Sequence, residues 1–176
     1  MRLHMLIATA GAAGLICPAL AASHRSASHS HPASAAPTEL GRFGEWTGAR
    51  YQQGGHTVCY AFTRAKSAHQ ASGTVPLLTV TERPSSRDEV AITNTTPYPK
   101  DATVTVQVGQ TGLDFYTAAS DAFARDGKAA VAALRRGGQA IARGPAADGA
   151  HQTDVFSLQG FAQAYEAILK TCPARS

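Results

Sequence analysis

The sequence predicts a mainly β protein, an antiparallel β-sandwich or barrel-like sheet with a short alanine-rich helix and a C-terminal amphipathic helix packed on it. Alternation of apolar and polar residues carries this prediction, because a period of two is typical of strands with one buried face. It is clearest in ATVTVQV, where Val104, Val106 and Val108 point to the same side. Short glycine- and proline-rich turns separate such runs, and short connections favour antiparallel pairing.

The other strands are predicted from the same alternation. In HTVCYAFT, one face carries Val58, Tyr60 and Phe62, whereas Cys59 and Ala61 lie on the opposite face. Further strands are predicted in LLTVTE and DEVAIT, with weaker candidates in QAIARG and TDVFSL. The turn at residues 109–112 joins two runs closely enough to predict a hairpin.

Two helices interrupt this pattern. DGKAAVAALRRGG predicts a short helix, with Asp126 as its N-cap and Gly137 as its end. The C-terminal helix is predicted to begin at an N-cap on Ser157 and to end before Pro173. Its apolar residues recur every three or four positions and form one stripe, Leu158, Phe161, Tyr165, Ile168 and Cys172. We expect this stripe and Trp46 to lie in the core.

The N-terminal region predicts export. Arg2 precedes an apolar run, and Ala19-Leu20-Ala21 gives the small-residue cleavage pattern, so residues 1–21 are predicted to be a secretory signal peptide. Residues 22–38 are rich in Ala, Ser, His and Pro and are predicted to be a disordered tether. Residues 39–176 are predicted to form a single domain, without a transmembrane segment after cleavage.

The charge and the cysteine content of the chain narrow the range of functions that the sequence predicts. The chain has 16 Lys and Arg against 12 Asp and Glu, spread along its length, which does not predict nucleic-acid binding. Signal cleavage would remove Cys17 and leave Cys59 and Cys172. An even number of cysteines in an exported protein predicts a disulfide between them. No CxxC motif is present, so a redox catalyst is not predicted.

The predicted mature N-terminus suggests one possible metal site. Cleavage after residue 21 would expose Ala22, Ser23 and His24, whose amine, amides and imidazole make a square-planar nitrogen set that suits Cu(II) or Ni(II). A polar tether that simply tolerates histidine explains the same residues. Cleavage after Ala22 instead would destroy the motif, and the sequence leaves both sites open.

No catalytic residue and no cofactor is predicted. His151, Asp154 and Ser157 superficially match a Ser/His/Asp set, but no nucleophile elbow or oxyanion loop accompanies them. Three hypotheses follow. A partner-binding protein predicts an exposed apolar or aromatic patch on a strand edge or loop. A metal-handling protein requires the Ala22 start, and an enzyme requires a pocket with converging titratable groups.

Several segments together suggest a family. An export signal precedes GEWTGARYQQGGHTVCYAF, which contains Trp46 and Cys59, and SLQGF precedes the final amphipathic helix. In these features the chain resembles the invasion-associated locus B (IalB) family of Gram-negative bacteria, mainly α-proteobacteria. The resemblance implies a β-rich, non-enzymatic envelope protein, periplasmic or secreted, that binds an unknown envelope or host partner, and some members are associated with host-cell invasion. Family members often carry a cysteine shortly after the tryptophan, and here residues 47–51 contain none, which indicates a divergent member of the family.

Overall fold

The computed structural model describes residues 36–66, 75–146 and 148–174. Their secondary structure is mainly β, as predicted. The elements are β1 (Thr38–Phe43), β2 (Trp46–Gln53), β3 (His56–Arg64), β4 (Leu77–Glu82), β5 (Glu89–Thr93), β6 (Thr103–Val108), β7 (Thr111–Ala118), β8 (Asp121–Ala124), α1 (Gly127–Leu134), β9 (Gln139–Pro145), β10 (His151–Ser157) and α2 (Phe161–Thr171). Strand β1 begins at Thr38, the last residue of the segment predicted to be a tether.

The strands form one continuous antiparallel sheet in the order β1-β2-β3-β4-β5-β8-β7-β6-β9-β10. Its two edge strands are β1 and β10, so the ladder is not closed. The chain leaving β3 reaches β10, because Ala65 forms a bridge with Phe156 and the Lys66 amide donates to the Val155 carbonyl at 2.7 Å. The predicted sandwich or barrel-like sheet is therefore a single sheet that curls around one core.

Helix α2 fills the inner side of the sheet next to β1–β4. Trp46 and Phe161 are fully buried, with ring centroids 4.7 Å apart, and the Trp46 indole N–H donates to the Ser157 carbonyl at 2.8 Å. Leu158, Tyr165 and Ile168 are buried in the same cluster. This packing places the C-terminal helix directly over the first strands of the chain.

The predicted start of α2 is wrong. Ser157 is the last residue of β10 and does not cap the helix, and the N-cap position belongs to Gly160, in the left-handed region at φ 92°. A Cβ at Gly160 would overlap the Phe43 carbonyl, so this tight approach selects glycine. Leu158 therefore precedes the helix, whose 11 residues span about 16 Å. The chain turns here because it crosses the β1–β2 connection, where the Glu45 amide donates to the Gln159 carbonyl at 3.1 Å.

Helix α1 has the predicted start and a different end. The Ala129 amide donates to the Asp126 carboxylate at 2.9 Å, which confirms the N-cap. The C-cap is Arg135, and Gly137 lies beyond it. The space around Gly137 explains the glycine, since a Cβ there would collide with the Val108 side chain.

The predicted disulfide is present. Cys59 on β3 and Cys172, directly after α2, are bonded with their Cα atoms 6.0 Å apart. The bond ties the end of the chain to its third strand across a sequence separation of 113 residues.

Candidate binding surface

The two faces of β3 differ sharply. Cys59 and Ala61 on the inner face are completely buried, whereas Tyr60 and Phe62 on the outer face are partly exposed. Helix α2 packs closely on this side of the sheet, and a Cβ at Gly48, which pairs with Ala61, would be in van der Waals contact with Ile168 at 3.6 Å. The bulky aromatic residues of β3 therefore point away from the core.

The same arrangement continues across the sheet. Strand register places one residue from each of five neighbouring strands in line on the outer face. We call this line the outer aromatic row, and it consists of Phe62, Thr79, Ala91, Phe123 and Tyr116. Aromatic rings lie at both ends and small residues lie between them. Tyr116 is 44% exposed, the only large hydrophobic residue classed as exposed in the described part of the chain.

The rings pack on one another at each end of the row. Phe62 stacks on Tyr60 with centroids 5.8 Å apart, Tyr60 contacts Tyr51 edge-on at 5.8 Å, and Tyr116 stacks on Phe123 at 5.6 Å. Burial of the Tyr60 hydroxyl, together with its neighbour Tyr51, raises its pKa above the ordinary value. Ala49 and Val58, which lie next to these rings on the outer face, are buried.

An arginine lies over each group of rings. The guanidinium of Arg64 is 5.8 Å from the Phe62 centroid, and that of Arg125 is 5.7 Å from the Tyr116 centroid. Neither arginine forms an ion pair with any described residue. Beside the Phe62 end lies a shallow depression of about 220 Å³. Its lining mixes charges of both signs, and consists of Arg42, Gly44, Glu45, Thr47, Phe62, Thr63 and Arg64.

A buried polar cluster lies on the other side of the sheet, next to the disulfide. Glu82 pairs with Cys59 in the β3–β4 ladder and is completely buried. Arg87 Nε lies 2.6 Å from Glu82 Oε2, an ion pair without hydrogen-bond geometry, and the Asp88 amide donates to Oε1 at 3.2 Å. Burial raises the pKa of Glu82 to about 7, and the Arg87 charge opposes that increase only in part.

This cluster fastens α2 to the β4–β5 connection. The Tyr165 hydroxyl donates to Asp88, a residue in the left-handed region at φ 54°. Arg87 Nη1 donates to the Cys172 carbonyl at 2.8 Å. Burial and the Asp88 carboxylate raise the pKa of the Tyr165 hydroxyl far above its ordinary range. Tyr165, predicted to be a core residue, is thus also a polar anchor of the helix.

The structure does not assemble His151, Asp154 and Ser157 into a triad. Successive residues of β10 point to opposite faces, so the buried Asp154 lies on the inner face and the other two on the outer face. Asp154 accepts from Gln152 Nε2 at 2.8 Å, and Gln152 accepts from Asn94 at 3.3 Å. Burial, with Asp154 and Asp121 nearby, raises the pKa of Tyr98 in the same crevice to about 12.

The predicted metal site lies outside the described residues. Ala22, Ser23 and His24 precede residue 36, so metal binding there stays a prediction. Within the described ranges, no group of three or more His, Cys, Asp or Glu side chains is arranged to hold a metal ion. No helix within those ranges is long and apolar enough to cross a membrane.

Comparison with known families identifies the chain. The family described as invasion associated locus B (IalB) protein matches residues 46–169, which contain both Trp46 and Cys59. The chain belongs to the IalB family. The fold agrees with the crystal structure of invasion associated protein B from Bartonella henselae, with a TM-score of 0.56 and 17% sequence identity over 76% of this chain and 96% of the other. At this identity, the similarity establishes a shared fold. No curated relative matches the sequence significantly.

Sequence reasoning partly missed the outer aromatic row of this IalB protein. The alternation in β3 separated Tyr60 and Phe62 from Cys59 and Ala61, but it did not indicate which pair faces the core. The partner-binding hypothesis predicted an exposed patch on a strand edge or loop, whereas the outer aromatic row lies across the middle of the sheet. The signal that could have found it is the run of small residues on the alternate positions, since these leave space for a helix on that side.

Proposed function

We propose that this IalB-family protein is exported to the bacterial envelope and acts without catalysing a reaction, by binding a protein partner through its outer aromatic row. The observation that carries the proposal is the row itself, with paired rings at both ends and an arginine over each pair. Aromatic residues and arginine are enriched at protein interfaces, and lysine is depleted. The outer aromatic row has this composition, since three of its five residues are aromatic and both cations above it are arginines.

The rings are suited to binding because their neighbours already hold them in place. Tyr60 is packed between Tyr51 and Phe62, and Phe123 is stacked on Tyr116. A side chain that is ordered before binding loses less conformational entropy in the complex. An arginine over an aromatic face adds a favourable cation–π contact and a free set of donors for the partner.

Export is supported by two independent features. Residues 1–21 have the composition of a signal peptide, and the Cys59–Cys172 disulfide is typical of an oxidising compartment. We place the protein in the periplasm or outside a Gram-negative cell, where its partner is an envelope or host protein. The family description is the sole support for a role in host-cell invasion, and we propose that role on this basis.

The proposal is tested by quantitative capture. The purified protein, with its disulfide intact, is immobilised and exposed to envelope extract, and the bound proteins are quantified by mass spectrometry. The double variant Phe62→Ser, Tyr116→Ser should bind any specifically captured protein at least about tenfold more weakly, since truncating an interface anchor commonly costs about 2 kcal/mol or more of binding free energy. Gln163→Ser, an exposed position on α2, is the matched control and should capture as the wild type does. Equal capture by the double variant and the wild type would refute the proposal.

A further inference from the structure

We infer that the outer face binds a second copy of this chain, around a two-fold axis that runs parallel to the strands between β4 and β5. The inference rests on the proposed function, in that it takes the outer aromatic row to be a binding surface, and it names the partner. Two adjacent lines of residues on β3, β4, β5 and β8 carry it, because each line is complementary to itself under this rotation.

The first row is the outer aromatic row. Thr79 and Ala91 lie on β4 and β5, on either side of the axis, and Phe62 and Phe123 lie one strand further out. Rotation by 180° places Phe62 against Phe123 of the second copy, and Thr79 against Ala91. Phe62 and Phe123 are three strands apart, about 14 Å. The small residues at the centre let the two sheets approach, while the rings fill the space on both sides.

The second row runs beside the first, two residues along each strand. Register aligns Arg64, Leu77, Thr93 and Asp121, and we call this line the charged row. The same rotation places Arg64 against Asp121 of the second copy, and Leu77 against Thr93. Each dimer therefore contains this ion pair twice, once on each side of the axis.

Both charged groups are available for this contact. Arg64 is exposed, stacks on Phe62 and forms no ion pair with a described residue. Asp121 is partly exposed and accepts a hydrogen bond from the Thr93 hydroxyl at 2.6 Å, which leaves other lone pairs of the carboxylate free to bind a guanidinium. Glu89, another charged residue on this face, already pairs with Arg83 at 2.5 Å.

The arrangement follows the usual geometry of packed sheets. An axis parallel to the strands keeps the two strand directions nearly aligned, as in sheets that pack face to face about 10 Å apart. A two-fold interface is closed, because both copies use the same surface and no binding site remains at the ends. The facing pairs cover only four strands, so we expect a small interface and dissociation in the micromolar range.

The experiment measures association by sedimentation velocity from about 5 to 500 µM, with the disulfide intact. The wild type should show a concentration-dependent monomer–dimer equilibrium. Arg64→Asp and Asp121→Arg, each alone, should weaken dimerisation at least about tenfold, because each places like charges opposite each other on both sides of the axis. Arg136→Asp, at an exposed site beyond α1, is the matched control and should dimerise as the wild type does.

A mixture of the two variants gives the decisive result. In a mixed dimer, the introduced aspartate of one copy faces the introduced arginine of the other, and the native Asp121 faces the native Arg64. Equimolar Arg64→Asp and Asp121→Arg should therefore restore dimers, although neither variant dimerises well by itself. Circular dichroism spectra confirm that each variant is folded.

Two outcomes would overturn the inference: a wild type that stays monomeric at every concentration, or a mixture that stays as dissociated as its components. If the wild type is monomeric and Phe62→Ser, Tyr116→Ser still loses envelope capture, the second copy is excluded while the proposed function stands. If the mixture restores dimers and the Phe62→Ser, Tyr116→Ser variant captures envelope proteins as the wild type does, the second copy is supported. The proposed binding of a different protein through the outer aromatic row is then refuted.

Discussion

Replacing Glu82 by glutamine is expected to make the stability of the protein less dependent on pH. Burial raises the pKa of the Glu82 carboxyl from 4.5 to about 7 in the folded protein, with Arg87 opposing the increase. Between these values the folded protein holds a proton that the unfolded chain has released. The contribution of this proton to the free energy of unfolding is therefore fully present below about pH 4.5, and it is lost as the pH rises through about 7.

The size of the effect follows from the two pKa values. The interval from 4.5 to about 7, at about 1.4 kcal/mol for each pH unit, corresponds to about 3 kcal/mol lost by pH 8. Glutamine has nearly the same shape and can still accept from the Asp88 amide, but it does not titrate. Arg87 loses its ion pair but keeps its bond to the Cys172 carbonyl and is partly exposed to water.

The assay is urea unfolding without reductant at several pH values from 4.5 to 8.5. At each pH, the free energy of unfolding of the wild type is subtracted from that of Glu82→Gln. This difference cancels the contribution of every other titrating group. We expect Glu82→Gln to gain about 2–3 kcal/mol relative to the wild type between the lowest and highest pH. Glu89→Gln, at a partly exposed ion pair, is the control and should follow the wild type. Parallel curves for Glu82→Gln and the wild type would refute the reasoning.

Three further changes test the core, the disulfide and the N-terminus. Phe161→Ala should lower the free energy of unfolding by about 3–5 kcal/mol, because it leaves a cavity against Trp46, and urea unfolding checks this; a negligible loss would mean that α2 does not pack as described. Cys172→Ser should destabilise the fold by about 4–5 kcal/mol in the same assay, since the disulfide spans 113 residues; a loss below about 1 kcal/mol would contradict the chain-entropy argument. Mass spectrometry of the exported protein should find Ala22 at its start, and His24→Ala should then abolish tight Cu(II) binding; a start at Ser23 removes the predicted motif.

Local features of the structure were predictable because they depend on neighbouring residues. Alternation indicated the strands, the aspartate at position 126 indicated the start of α1, and two cysteines in a chain with a predicted export signal indicated their bond. Ser157 shows where local reasoning failed. Its side chain suits an N-cap, but its backbone pairs with Gln139 in the β9–β10 ladder, and the next residues must cross the β1–β2 connection before a helix can begin.

The candidate site depended on contacts between distant parts of the chain. Nothing in the alternation of β5 or β8 indicates that Ala91 and Phe123 are neighbours, because β6 and β7 intervene in sequence. The outer aromatic row exists only when five strands are in register, and the charged row only when four of them are. The buried Glu82 is likewise a polar residue at the end of an alternating strand, and its pKa is raised by burial, which exists only in the folded protein.

The sequence by itself determined a mainly β, disulfide-bonded domain with an amphipathic C-terminal helix, because hydrophobic periodicity and cysteine number are properties of the chain alone. It also separated the residues of β3 into two faces. Only the tertiary structure decided which face is inside. Helix α2 packs on the side of β3 that carries Cys59 and Ala61, so the small side chains are buried and the aromatic rings of Tyr60 and Phe62 are left on the outer surface.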